Sequence, residues 1–304
     1  MDISVVIPTR NRAQKLRRTL DGLRAQTLSS AAFEVLVVDN GSSDDTCATV
    51  AGYLDKAPNW RYLREPQPGA AAARNSGIRA SQGEIVLFLD DDVIPDAPLL
   101  EEHGKSHREQ SAVVLGSVRF PWEGTGTAFR RTLWQHPELL QSFRFPDAAN
   151  VPFQHFYTCN LSLPRSFLSR SGNFDEDFQA SGFEDTDLGY RMARAGFRMV
   201  FNPRASAVHD CWMSFPELAE KQRRNGRELR LLLKKHPELR EVFLPAATSR
   251  RRGLAAMVGG AASVLAPCFE WPAGFLSVLV LPALARFCWL NLQYRFWAGF
   301  EEAG

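Results

Sequence analysis

The sequence predicts an α/β domain built on a mostly parallel sheet, followed by a basic segment and an apolar C-terminal tail. Three observations carry this reading. Short β-branched runs alternate with amphipathic helical stretches over the first hundred residues. Three of those runs are followed at once by polar or acidic residues. Charge is segregated along the chain. The 304 residues hold 36 Lys/Arg against 34 Asp/Glu, yet residues 216–252 hold 11 against 5 and residues 253–304 hold 2 against 3.

The elements follow in order. Ser4-Val5-Val6-Ile7 is a buried strand closed by Pro8. A helix follows with Leu16, Leu20 and Leu23 on one face. Val35–Val38 is the next strand, and Asn40-Gly41-Ser42-Ser43 is a turn and cap for a helix that buries Val50, Tyr53 and Leu54. Tyr62-Leu63 is a short strand. Gly69–Ala80 is Ala-rich and helical. Ile85–Leu89 is a fourth apolar run, closed by Asp90-Asp91-Asp92. Residues 113–119 form another strand. Residues 120–160 are aromatic and weakly periodic, which fits either a binding loop or satellite packing on the core. Glu184 and Asp185 open a helix that runs to about Ala195 and stops at Gly196. Asp187 and Arg191 are placed to form a pair on its surface. Arg198–Phe201 and Ala207–His209 are extended.

In open α/β sheets, ligands bind beyond the carboxyl ends of the strands. Thr9 and Asn11, Asp39 to Ser43, and Asp90 to Asp92 all reach that edge. The chain lacks GxGxxG after its first strand and lacks GxxxxGK[ST], so the common dinucleotide and P-loop readings fail. The near-zero net charge of +2 argues against a nucleic-acid partner. Cys47, Cys159, Cys211, Cys268 and Cys288 form no metal-spaced cluster and fit a reducing compartment. Met1-Asp2 leads straight into the first strand without a basic leader pattern, so the body is expected in the cytoplasm.

Five pieces in order give the sequence a family resemblance. They are SVVIPTRNR at 4–12, VVDNGSSDDT at 37–46, GAAAARNSGIRAS at 69–81, LFLDDDVIP at 87–95 and GFEDTDLGYRMARAGF at 182–197. The chain resembles the family 2 glycosyltransferases, which have the GT-A fold, over about residues 1–215. The resemblance implies an inverting transfer of a sugar from a nucleoside-diphosphate donor to a hydroxyl. It implies that Asp39 bonds the donor base, with Pro8 and Thr9 lining that pocket, and that Arg74 and Asn75 lie on the donor side. Asp90 and Asp92 match the DxD motif. Asp185 matches the catalytic base, with Glu184 beside it. His209 sits where some relatives place a late metal ligand. Asp91, the variable middle of the triplet, receives no role. A UDP-sugar is the expected donor, with GDP and dTDP open.

The chemistry suits these residue types. A departing nucleoside diphosphate gains charge that a hard divalent cation stabilises, and Mn²⁺ or Mg²⁺ takes carboxylate oxygens. The alternative for Asp90–Asp92 is an acidic turn capping a helix from Pro95 onward. For His209 it is a partly buried ring bonded to backbone. An acceptor hydroxyl needs a base opposite the leaving group, which Asp185 can supply.

The expected domains are residues 1–215 as the catalytic domain, divided into a nucleotide-sugar half (1–100) and an acceptor half (101–215), then a basic helical linker (216–252) and apolar C-terminal helices (253–304). Residues 253–298 carry three charges, Glu270, Arg286 and Arg295. Their longest uncharged run is 17 residues, short of the roughly 20 that a span needs, and Pro267, Pro272 and Pro282 interrupt them. Helices lying in the membrane or forming a hairpin fit better than full spans; an apolar subdomain on the catalytic body is the alternative. The basic helix at 218–235 and Arg250-Arg251-Arg252 suit an anionic lipid surface. The expectation is a transferase at the cytoplasmic face of the plasma membrane, acting on a lipid-linked or envelope-glycan acceptor in polysaccharide synthesis. A sugar-nucleotide pyrophosphorylase, a glycosidase and an inactive donor-binding membrane scaffold are the competing readings. The pyrophosphorylase would want a Gly-rich loop where Thr9-Arg10-Asn11-Arg12 stands.

Overall fold

The structure is a computed structural model that describes residues 2–121, 129, 141, 143–179, 182–244, 292 and 295–302. The chain divides into two compact units, Met1–Pro121 with Phe143–Cys211, and Trp122–Ser142 with Trp212–Gly304.

The first unit is a sheet of eight strands: β1 Ile3–Thr9, β2 Phe33–Asp39, β3 Trp60–Arg64, β4 Ile85–Leu89, β5 Val93–Pro95, β6 Val113–Arg119, β7 Asn160–Pro164 and β8 Met199–His209. Their order is β3-β2-β1-β4-β7-β6-β8-β5. The β3-β2-β1-β4 half is parallel, as the alternating pattern implied. The other half is mixed: β7 runs antiparallel to β4 and to β6, β8 runs parallel to β6, and β5 runs antiparallel to β8. The sheet is therefore less parallel than expected.

Alternation of side chains across the strands divides the core into two layers. Val5, Ile7, Val35 and Val37 pack with Leu16, Leu20 and Leu23 of α1 (Ala13–Arg24) and Val50 of α2 (Thr46–Leu54). Val6, Leu36 and Val38 pack on the opposite face with Ala71, Ala73 and Ile78 of α3 (Ala70–Ala80). Each of these Val, Leu and Ile side chains taken fully out of water contributes about 1.5–3 kcal/mol before entropy is counted.

Four features escaped the sequence. Helix α4 (Leu99–Glu109) is preceded by strand β5, so Pro95 ends an edge strand instead of opening a helix. Strand β7 buries Leu161 and Leu163 on one face and Asn160 and Ser162 on the other. Those two polar residues bond His103 and His107 of α4, so the strand lacks a plain apolar signature. The short helix α5 (Arg165–Ser171) follows it. Finally, the two extended pieces near 200 and 208 are one strand, with a register shift against β6 between Gly116 and Ser117. Helix α6 (Phe183–Arg194) matches its prediction. The Asp187–Arg191 pair also forms, at 2.7 Å, but Asp187 is buried, so the pair is not on the helix surface. Arg191 reaches over to the carbonyls of Ser171 and Asn173 as well.

In the second unit, α7 (Phe215–Lys235) opens with a capping box in which Ser214 and Glu217 bond reciprocally. Two further short helical pieces, Pro237–Leu239 and α8 (Arg240–Phe243), follow. The helical segment 295–302 crosses α7 with backbones nearly in contact. A Cβ at Gly226 would lie 1.9 Å from the Phe296 carbonyl oxygen, and one at Gly299 would lie 1.8 Å from that of Arg223. Gly226→Leu should therefore force the two helices apart, at about 1–3 kcal/mol. Urea unfolding followed through the unit's tryptophans would read this, and an unchanged midpoint would contradict the close crossing. Arg223 bonds Glu302 and Arg230 donates to the Phe300 carbonyl, so part of the basic face is engaged within the unit. Arg224, Arg227 and Lys234 are exposed. Among the described residues no helix is long and apolar enough to cross a membrane. Most of the apolar stretch 253–298 lies outside the described residues.

Candidate active site

Register explains why three loops converge. Thr9 pairs with Asp39 and Asp39 with Arg64, so β1, β2 and β3 end level. Strand β4 ends at Leu89, directly before Asp90–Asp92. Because β7 is antiparallel to β4, its first residue Asn160 lies opposite Leu89. The residues just before β7 therefore arrive at the same edge. Val93 pairs with His209, which sets the end of β8 beside Asp92. The parallel strands β1, β2 and β4 supply three loops from their ends, and antiparallel neighbours supply the residues before β7 and the end of β8.

Asp90, Asp92 and His209 come together, with one candidate ligand atom from each within 4.8 Å of the others. His209 Nε2 lies 3.1 Å from Asp92 Oδ1, and the Phe120 ring stacks on the imidazole at 5.7 Å. Nδ1 of His209 is buried without a hydrogen-bond partner. Two carboxylates and an imidazole form a donor set that fits Mn²⁺ or Mg²⁺. Asp92 also accepts from Arg12 at 2.9 Å and Lys15 at 3.4 Å. Burial alone would raise the Asp92 carboxyl, but His209, Arg12 and Lys15 outweigh it and hold it below the ordinary carboxylate range. Burial would lower His209, yet the bond to Asp92 lifts it to about 10.

Asp91, the middle of the triplet, is buried and accepts from the Thr9 hydroxyl at 2.7 Å and from Arg12 at 3.1 Å. Burial pushes it up to about 6 against the pull of Arg12. Thr9 thus ties the first loop to the third, and its hydroxyl is turned to Asp91. Pro8, half-buried, pairs with Val38 in the ladder.

Asp39 is buried at the end of β2. One carboxylate oxygen accepts from the Ser42 amide at 2.8 Å, and the other accepts from the Tyr62 hydroxyl. The sequence did not single out Tyr62. Its contact depends on the pairing of β3 with β2, which sets Tyr62 on the same face as Arg64, the partner of Asp39.

Arg74 links the two acidic groups. Its guanidinium is 5% exposed and lies 2.9 Å from Glu184, 3.2 Å from Asp90 and 3.8 Å from Asp185. Burial would lower Arg74, but Asp185, Asp90 and Glu184 raise it above its ordinary value. Gly182 precedes α6 at φ 144°, a region open to glycine, and its amide bonds the Glu184 carboxylate. Glu184 is thus pinned from both sides and fully buried. Asp185 is half-buried, and its carboxylate accepts from the hydroxyl and amide of Thr158. Burial and Glu184 push it up to about 7, against the opposing pull of Arg74 and Thr158.

Asn75 differs from its expected place. Its amide donates to the Phe174 carbonyl and Glu176, and its oxygen accepts from the Phe174 amide. The side chain is spent holding residues 174–176 and is not presented to the site. The described aromatics of 143–157 also favour packing: Phe156 is buried, Phe143 stacks edge-on against Tyr157, and Phe145 against Phe201. A cleft of about 810 Å³ lined by Leu23, Arg24, Phe33, Lys56 and Trp60 lies at the amino ends of β2 and β3, away from the carboxylates.

A Rossmann-like sheet with carboxylates at the ends of its strands defines the GT-A fold of glycosyltransferases. The chain belongs to glycosyl transferase family 2, whose family model matches residues 4–171. Validoxylamine A glucosyltransferase of Streptomyces hygroscopicus subsp. jinggangensis is 34% identical over 65% of this chain and 53% of its own length. This chain therefore spans about half of that relative. Glycosyltransferase AglE of Haloferax volcanii is 31% identical over 79% of this chain and 77% of its own. Among solved structures, the mannosyltransferase PcManGT from Pyrobaculum calidifontis, in complex with GDP-Man and Mn²⁺, covers 99% of this chain and 84% of its own. Its TM-score is 0.62 at 23% identity. S. aureus TarS 1-349 in complex with UDP covers 99% of this chain and 91% of its own, with TM-score 0.59 at 18% identity. These two likenesses show the fold.

Proposed function

We propose that this glycosyltransferase moves a sugar, with inversion, from a nucleoside-diphosphate donor to a hydroxyl of a lipid-linked or envelope-glycan acceptor. Asp185 is the base. Asp90, Asp92 and His209 hold Mn²⁺ or Mg²⁺, and Asp39 reads the donor base, for which a UDP-sugar is the first expectation. The observation that carries this reading is the buried Arg74 between Asp90 and Glu184–Asp185. One side chain fixes the distance between the group that meets the departing diphosphate and the group that meets the acceptor. Displacement with inversion needs that fixed separation.

When bound, the ion stabilises charge on the departing diphosphate. The protein's own residues do the rest. Tyr62 and the Ser42 amide hold Asp39 as an acceptor, suited to a base edge that offers an N–H. Arg12 and Lys15 add positive charge beside Asp92, where the diphosphate must come. Asp185, pushed up to about 7, is basic enough to take the acceptor proton and still ionised near neutral pH.

Titration calorimetry with UDP, GDP and dTDP, each with and without Mn²⁺, tests the donor half. One nucleotide should bind in a metal-dependent manner, and Asp92→Ala should lose that dependence with at least a tenfold fall in affinity (about 1.4 kcal/mol). Metal-independent binding that is unchanged in the variant would sink the metal assignment. Release of nucleoside diphosphate, and not pyrophosphate, distinguishes transfer from nucleotidyl exchange.

The membrane half of the proposal rests on the apolar composition of 253–298 and the basic residues before it. The enzyme would sit at the cytoplasmic face of the plasma membrane, peripheral or hairpin-anchored. The full chain should float with vesicles containing anionic lipid and stay behind with neutral ones at moderate salt. Failure to float with either would remove the lipid-linked acceptor from the reading.

A further inference from the structure

We infer that Thr158 is the positioning residue of the base: its hydroxyl and its backbone amide hold the Asp185 carboxylate in one orientation towards the acceptor hydroxyl. The inference rests on the reading of Asp185 as base. Thr158 Oγ1 lies 2.9 and 2.8 Å from the two carboxylate oxygens, and its amide nitrogen lies 3.2 Å from Oδ2. Two donors from one residue occupy part of the carboxylate's lone-pair set and leave the remainder for an incoming O–H.

A clamp works only if it is itself held. Thr158 is buried, and its β-branch restricts χ1. The next residue, Cys159, accepts at its carbonyl from the Asp90 amide at 3.4 Å. Asn160 is anchored on three sides, 2.9 Å from His103 Nε2 and donating to the carbonyls of Ala205 and Ser117. His103 in turn bonds Ser162 at 2.7 Å, so β7 is fixed against α4, β6 and β8. The polar network that hid β7 in the sequence is what makes Thr158 a rigid reference. Helix α6 delivers Asp185 and β7 delivers the stop against which it rests.

The charged and titratable groups that face Asp185 are Glu184 on its own helix, Arg74 from α3, with Asp90 on Arg74's far side, and Cys159 beside Thr158. Thr158 is the neutral donor among them. Loss of its hydroxyl should make the carboxylate harder to ionise and freer to rotate.

The carboxyl can be read directly. The full chain is labelled with [4-¹³C]aspartate, and the Asp185 resonance is identified by its loss in Asp185→Asn. Thr158→Val, with Thr158→Ala as the version that adds no buried methyl, should raise its titration midpoint by about one pH unit. Thr158→Ser should restore it. Turnover of UDP-glucose, UDP-galactose and UDP-N-acetylglucosamine as probe donors gives the second readout. Thr158→Val should lose about tenfold in kcat with KM nearly unchanged, and its acid limb should move up with the midpoint.

An unmoved midpoint in both Thr158→Val and Thr158→Ala overturns the inference, as does a serine variant as impaired as valine. If Asp185→Asn is inactive in that case, the base reading stands without Thr158. Wild-type turnover in Asp185→Asn overturns both, because Thr158 would then orient a carboxylate with no chemical task.

Discussion

Asp185→Asn should lower sugar transfer by about 10²–10⁴-fold and leave nucleotide affinity within about twofold. The amide has the carboxylate's shape and can still accept the bonds of Thr158 through its oxygen. It cannot take a proton from the acceptor. Arg74 keeps Glu184 and Asp90 as partners, so the donor edge should stay in place. The loss should therefore appear in kcat and not in donor binding, which calorimetry and steady-state rates together would separate.

As the proposed base, the same group should set the pH dependence of the wild type. Only an ionised carboxylate can take the proton, and burial with Glu184 beside it pushes Asp185 up to about 7. Activity should climb tenfold per pH unit below that value and level off above it. A flat profile between pH 5 and 8, or an asparagine variant with near-normal turnover, would exclude Asp185 as the base.

Arg74→Met should cost about 3–5 kcal/mol of stability. Glu184 is 1% exposed and pairs with Arg74, at 2.9 Å. Methionine fills much of the volume but leaves the buried Glu184 beside the half-buried Asp185 without their counter-charge. Glu184→Gln in the same chain should return a large part of the loss, because it removes the stranded charge. Lysine should rescue poorly, since a single ammonium cannot reach Asp90 and Glu184 together as the forked guanidinium does. Denaturant unfolding of wild type, Arg74→Met, Glu184→Gln and the double variant measures the coupling. A Met variant within about 1 kcal/mol of wild type would mean that Arg74 is not the strut between the two acidic groups. The variant should also push Asp185 further up, because Arg74 is the principal group opposing that shift.

These effects mark the line between what periodicity can show and what it cannot. Strands β1, β2 and β4 were legible because both faces of each are buried and the runs are short, apolar and closed by turn residues. Helix α6 was legible from its acidic start and glycine stop. Strand β7 was not, because Asn160 and Ser162 turn into a buried network with His103 and His107, and a buried polar face looks like a loop. Asp90, Asp92 and Asp185 stood out as acidic residues at element boundaries. His209 came from resemblance alone, and its contact with Asp92 depends on the pairing of β5 with β8. Tyr62, Arg12 and Thr158 carried no local signal, since an isolated Tyr, Arg or Thr is ordinary anywhere.

The sequence by itself determined the α/β class, the edge of the sheet where polar loops gather, and the residue types that the chemistry requires. Those are properties of local pattern: period, turn chemistry and charge. Only the tertiary structure decided that β7 runs antiparallel into the site, that Arg74 joins Asp90 to Glu184 and Asp185, that Asn75 serves the 174–176 segment, and that Thr158 stands against Asp185. Each of these joins residues 16 to 110 positions apart. Strand order and register bring such residues together, and those are fixed by the packing of the whole sheet, not by any window of the chain.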